Sequence, residues 1–213
     1  MKTPKDALTA LKRALPVIAT ECCAVLGSEQ HYQAMVYHAL RVHGQVPLEQ
    51  LGMNVKIWIP RPKTTLFRQL DRRKAEGYRG GFEPIPDVVI FAEGIEADWR
   101  RRNRDNTLRQ MLLALESKAS ERDKGRLSPG EVLKDLRKLH ALGQEIAHRA
   151  PASIPQLAML VIDSARDANE RMTESALDLV RGEAQDLDIA LFYVAAPSEL
   201  VAVVPSQKRP VHP

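Results

Sequence analysis

The sequence predicts an α/β fold in which a central mixed β-sheet of about five strands is flanked by helices. Two apolar runs, FEPIPDVVIFA at 82–92 and RQMLLALESKAS at 109–120, each hold about six β-forming residues bounded by polar, Gly- or Pro-containing sequence. The connection over 93–109 is polar and charged, which makes them an antiparallel pair joined by a long loop. Two later apolar runs, LAMLVID at 157–163 and DIALFYVAA at 188–196, each follow a helical pattern, as strands reached by crossovers do.

In chain order, Thr3 caps and Pro4 opens an amphipathic helix that the sequence ends near Pro16, and VIATECCAVLG at 17–27 reads as a second apolar helix stopped by Gly27. Ser28 caps a helix over 29–43 with Gly44 behind it. Its inward stripe is Glu29, Tyr32, Gln33, Val36 and Leu40. MNVKIWI at 53–59 alternates Met53, Val55, Ile57 and Ile59 with polar or amphipathic residues, a half-buried strand ended by Pro60 and Pro62. TTLFRQLDRRKAEG is a short basic helix, and YRGGFEP leads into the strand at Val88. These first three strands form a meander. ERDKGR at 121–126 is loop, and Ser128-Pro129-Gly130-Glu131 has the spacing of a capping box ahead of an amphipathic helix through Val132, Leu136, Leu139, Leu142 and Ile146. Thr173 and Glu174 start a further helix running to about Asp186. Strand-like LVAVV at 200–204 precedes a frayed tail, SQKRPVHP.

Across 213 residues, 44% apolar composition is enough to bury one core, and no low-complexity linker divides it, so a single domain over 1–213 is expected. No run approaches the roughly 18 apolar residues of a membrane span, and MKTPKDALTALKR is no signal peptide, so no membrane partner and a cytoplasmic location are expected. Adjacent Cys22 and Cys23 suit small buried hydrophobes in a reducing compartment. His31, His38 and His43 lack the i, i+4 spacing of a helical zinc pair and read as surface or packing residues. No Gly-rich phosphate loop or G-x-S-x-G elbow is present.

Asp87 opens the first strand of the antiparallel pair, and Glu116 nearly closes the second. Opposing them pairs Val89 with Ala114 and Phe91 with Leu112, with carboxylate-bearing Cβ atoms about 5 Å apart, close enough to share a divalent cation. Lys118, two residues past Glu116, projects to the same face. Composition alone supplies about 1.4 acid-x-Lys triplets in such a chain, and Glu116-Ser117-Lys118 is the one it holds, so the weight lies in its place at the end of an apolar strand.

Pro86-Asp87, 28 residues, then Glu116-Ser117-Lys118 resembles the PD-(D/E)XK signature of the restriction-endonuclease-like nuclease superfamily. The element order over about 28–196 is similar to that superfamily's core, leaving 1–27 as an N-terminal helical extension and 205–213 as a tail. The resemblance implies a nuclease whose catalytic residues are Asp87, Glu116 and Lys118. Mg²⁺, with Mn²⁺ as a substitute, would be held by Asp87, Glu116, the Ser117 carbonyl and an acid from an early helix, matched here by Glu29. Lys118 would position or deprotonate the attacking water. It also favours DNA as substrate, with an inactive nuclease-like binding or assembly subunit as the alternative.

Basic residues flank this site. Residues 61–79 carry seven Lys/Arg against two acids, and WRRRNR at 99–104 lies between the two strands. Charge runs are most often solvated faces, but beside an acidic metal site they suit a polyanion. Arg72, Arg73, Lys74, Arg100, Arg101 and Arg102, with Lys134 and Lys138 on the following helix, are the expected nucleic-acid contacts. No helix-turn-helix or zinc finger is visible, so sequence specificity would come from loops, a second copy or a partner subunit.

Overall fold

The computed structural model describes residues 1–120, 126–152, 154–195 and 200–204. The loop expected at 121–126, all but Arg126, and the tail at 205–213 lie outside the described residues. The helices are α1 (Pro4–Ala24), α2 (Glu29–Val42), α3 (Thr65–Arg72), α4 (Arg104–Arg109), α5 (Pro129–Arg149) and α6 (Glu174–Asp186). The strands are β1 (Leu51–Met53), β2 (Ile59–Pro60), β3 (Gly81–Phe82), β4 (Val88–Phe91), β5 (Met111–Ala119), β6 (Gln156–Ile162), β7 (Ala190–Val194) and β8 (Leu200–Val203).

Six strands form a mixed sheet in the order β1-β4-β5-β6-β7-β8, one more than expected because LVAVV adds β8 at the edge. Strands β1, β4 and β5 form an antiparallel meander whose first strand is Leu51–Met53 rather than the expected 53–59, β6 and β7 run parallel to β5, and β8 is antiparallel to β7. Side-chain alternation gives the sheet two apolar faces. One buries Val89, Ala114, Met159 and Leu191 against α5 and α6, and the other buries Val88, Leu113, Leu160 and Phe192 against α1 and α2.

Several expectations need correction. The two N-terminal helices are one, with Pro16 inside α1. Its apolar stripe, Ala7, Leu11, Ala14, Ile18 and Cys22, continues past the proline onto the sheet, while Pro16 and Lys12, whose carbonyl loses its donor, are exposed. The helix set apart as an extension therefore covers one sheet face. The strand at 53–59 is interrupted: Asn54 turns at φ 50° and Met53 is exposed, although Val55, Ile57 and Ile59 are buried as the alternation predicts. Its neighbour offers carbonyls at Pro84 and Asp87, to Ile57 and Asn54, but Pro84 and Pro86 have no N–H to return, so no continuous ladder forms. Only its ends pair: Met53, the last residue of β1, with Val88, and β2 with β3 in a separate two-stranded ribbon.

Val89 pairs with Ala114 as expected, but a bulge after Ile90 sets Phe91 opposite Met111 rather than Leu112. The connection at 93–109 contains α4 and buries Ile95 and Leu108, with Trp99 stacked on Phe91 at 5.8 Å. Ser128 stands at the N-cap of α5 without a side-chain cap bond, so the expected capping box is not made.

An interior proline costs about 3 kcal/mol against alanine in a helix, so Pro16→Ala is expected to stabilise the protein by about 1–3 kcal/mol in urea unfolding. No gain would show that the chain is not helical through residue 16 in solution.

Candidate active site

The bulge in β4 lies away from its start, so the register Val88 to Leu115 puts Asp87 and Glu116 at the next position. From there β5 sends Glu116 and Lys118 to the face that also carries Ala114. They line a cleft of about 320 Å³ with Glu29, Glu83, Asp135 and Lys138. Glu29 is the first residue of α2, placed by the Ser28 cap that accepts from the His31 N–H at 3.3 Å. Asp135 and Lys138 stand one turn apart on α5, which crosses back over the sheet.

Lys118 ties these elements together. Its Nζ donates to Glu29 Oε2 at 3.2 Å and lies 3.7 Å from Asp135 Oδ2, while Lys138 Nζ is 2.8 Å from Asp135 Oδ1. Burial lowers the proton affinity of Lys118, but the charge and hydrogen bond of Glu29, then Asp135 and Glu131, outweigh it and raise the pKa. Lys118 is therefore a cation at neutral pH, suited to orient water or offset phosphate charge rather than to remove a proton.

Glu116 is in the opposite situation. Burial, then repulsion from Asp87 and Asp135, hold its pKa well above the usual carboxylate range; Lys138 opposes them, and Glu29 adds to them. Asp87 is buried, and that burial raises its pKa against the bonds from Ser117 that lower it; Asp135 adds repulsion, and Lys118 attraction.

The carboxylate of Asp87 is turned towards Ser117 of β5 and towards α2. Its Oδ2 accepts from the Ser117 N–H and Oγ, both at 2.7 Å, and Oδ1 accepts from Gln33 Nε2 at 2.9 Å. Asn54 Nδ2 donates to Gln33 Oε1 at 3.3 Å and so fixes the amide. Ser117, expected as a carbonyl ligand, thus holds Asp87 in place, and one lone pair of Oδ1 is left for another partner.

Among the described residues, no three His, Cys, Asp or Glu side chains already stand in metal-binding geometry. The donor chemistry fits a hard divalent cation. Four carboxylates, Glu29, Asp87, Glu116 and Asp135, face two ammonium groups, Lys118 and Lys138, and all the donors are oxygen. A cation held by Glu116 and Asp87 would offset the burial and the repulsion that raise the two pKa values.

The expected nucleic-acid contacts fall into two groups. Arg72, Arg73, Arg102 and Lys134 are exposed. Arg100 and Arg101 are exposed as well but carry partners, Asp98 at 2.7 Å and Glu83, and Lys138 pairs with Asp135. Lys74 lies 3.3 Å from Asp71, donates to the Gly81 carbonyl and sits 5.4 Å from the Phe82 ring centroid. The sequence reading missed Asp135. Its signal is an acid on the inward stripe of α5, three residues after Val132 and four before Leu139.

Comparisons with protein-family models, with curated proteins and with solved structures return no match.

A carboxyl whose pKa is raised on folding contributes stability that is present below its unfolded pKa and lost as pH rises through the folded value. In metal-free protein Glu116→Gln is therefore expected to be more stable than wild type at pH 8, with the difference vanishing towards pH 4, by chemical denaturation at both. A less stable Gln variant at pH 8 would mean that the Glu116 anion has a favourable partner.

Proposed function

We propose that this chain is a divalent-metal-dependent phosphodiester hydrolase acting on nucleic acid, with DNA the favoured substrate, built like the restriction-endonuclease-like nucleases. The observation that supports it most is the convergence of Glu116 and Lys118 from one strand with Glu29 and Asp135 from two helices, beside an immobilised Asp87. Asp87 and Glu116 would hold Mg²⁺, or Mn²⁺ in its place, which when bound supplies charge neutralisation and an acidified water. A phosphodiester entering the cleft would compete with Glu29 and Asp135 for the Lys118 ammonium. Lys118 would then donate to a nonbridging oxygen, where negative charge grows in the transition state. Glu29 would orient that ammonium, and Gln33 and Ser117 would keep Asp87 from swinging away.

A second reading, a binding or assembly subunit without turnover, is favoured by one observation: Lys118 is already satisfied by Glu29 and Asp135. The two readings separate in a cleavage assay on single-stranded and duplex DNA and on RNA with Mg²⁺ or Mn²⁺. Lys118→Ala is expected to lose roughly 10²–10³-fold in rate, as removal of a transition-state donor does, while Mg²⁺ still raises the thermal midpoint. Glu116→Gln is expected to lose both. Nucleic-acid binding without cleavage by the wild type under any of these conditions would favour the second reading.

The charge excess of the cleft makes a further prediction. Mg²⁺ should stabilise the wild type more at pH 8 than at pH 5, because protons compete for the same carboxylates. A thermal shift independent of pH would place the ion elsewhere.

A further inference from the structure

Beside the cleft, and sharing Phe82 and Glu83 with it, lies an open pocket of about 500 Å³ lined also by Trp58, Tyr78, Arg79 and Arg101. Its floor is fixed. The β2–β3 ribbon carries Phe82, whose ring packs on Phe67 of α3 with centroids 4.5 Å apart. The Trp58 ring abuts Gly81, where even a Cβ would come within 2.5 Å of it. The Arg101 guanidinium carbon lies 4.7 Å from the Trp58 centroid, a cation–π contact that makes the guanidinium part of the wall. Tyr78, by contrast, ends a short turn (Glu76–Tyr78) with 77% of its surface exposed, next to Gly77, around which nothing lies within 4 Å of an added Cβ.

The electrostatics of this pocket suit a base better than a phosphate. Of its three cations, Lys74 is compensated by Asp71 and Arg101 by Glu83, and Glu83 itself would repel an anion inside. What remains are flat π faces and a guanidinium plane, with Arg79 at the rim. Unpaired bases are recognised by such surfaces, whereas duplex bases have no face to offer.

We infer that this pocket stacks an unpaired base of a single-stranded stretch, one end of which reaches the neighbouring cleft, so that the strand is gripped at a base beside the position where its phosphate is presented to Glu116 and Lys118. The inference deepens the hydrolase reading and rests on it for the meaning of the cleft, but the binding itself needs no catalysis. Tyr78, the most exposed of the aromatic residues lining the pocket, is the stacking residue.

The test is anisotropy with a labelled eight-nucleotide oligothymidylate and with a blunt duplex, in EDTA at low salt. Loss of one base–aromatic stack should weaken oligothymidylate binding by Tyr78→Ala roughly 5- to 150-fold. Tyr78→Phe, which keeps the ring, should stay within about twofold, and duplex binding should change by less than about twofold in either variant. No single-strand binding by the wild type, no effect of Tyr78→Ala, equal loss in Tyr78→Phe, or equal loss on duplex would each overturn the inference. Tyr78-dependent binding without cleavage in Mg²⁺ removes the hydrolase reading and keeps this one. Cleavage with Tyr78-independent binding does the reverse.

Discussion

Carboxylates that lie close together with little water between them repel, and the end of β5 concentrates that repulsion on Glu116, with Asp87 beside it, Asp135 above it and Glu29 nearby. The surrounding structure is arranged to tolerate this. Lys118 sits between Glu29 and Asp135, so one ammonium joins the central strand to α2 on one side and α5 on the other. Lys138 takes the remaining oxygen of Asp135, and Ser117 and Gln33 carry Asp87. Glu29, at the first turn of α2, also gains from the helix dipole. The compensation is partial, and the residual excess of negative charge is what gives the cleft its chemical character.

Topology explains why these groups meet. Strand β5 lies inside the sheet where antiparallel pairing gives way to parallel pairing. An antiparallel neighbour brings its own start, and hence Asp87, beside the far end of β5. A parallel neighbour requires a long crossover, and α5 makes it directly over the face where Glu116 and Lys118 project. The acid–lysine cluster is thus a product of one change in strand direction, and ligand sites in open α/β sheets gather at the carboxyl ends of parallel strands for the same reason.

The core of this arrangement was legible in the sequence because it depends on period-two alternation and on apolar runs, which are local. The strands with Asp87 and with Glu116 and Lys118 at their ends follow from those, whereas the pairing of Val89 with Ala114 followed only from setting the two acids opposite each other, a register that alternation does not fix. What was not legible depends on partners distant in the chain. Pro16 reads as a stop, yet the strands that its helix covers, β5 and β6, begin only at Met111 and Gln156 and reward continuation of the apolar stripe. The 53–59 run alternates like a strand, yet the prolines that deny it a ladder sit at 84 and 86. Gln33 was visible as an inward residue, but its bond to Asp87 required two elements to be set side by side.

Charge in sequence and charge available to a ligand proved to be different quantities. Arg100, Arg101 and Arg102 are consecutive and all exposed, but Asp98 engages the first and Glu83 the second. In the 72–74 run Lys74 turns inward to hold the β2–β3 ribbon, whereas Arg72 and Arg73 face solvent. An arginine neutralised by a carboxylate contributes little to a long-range field, but it does not become inert: over Trp58, Arg101 is a flat, weakly hydrated surface. On the proposed reading, internal pairing would turn part of a polyanion-attracting patch into a stacking wall. A site so built would draw a nucleic-acid backbone with its exposed arginines and hold an unpaired base with its paired one.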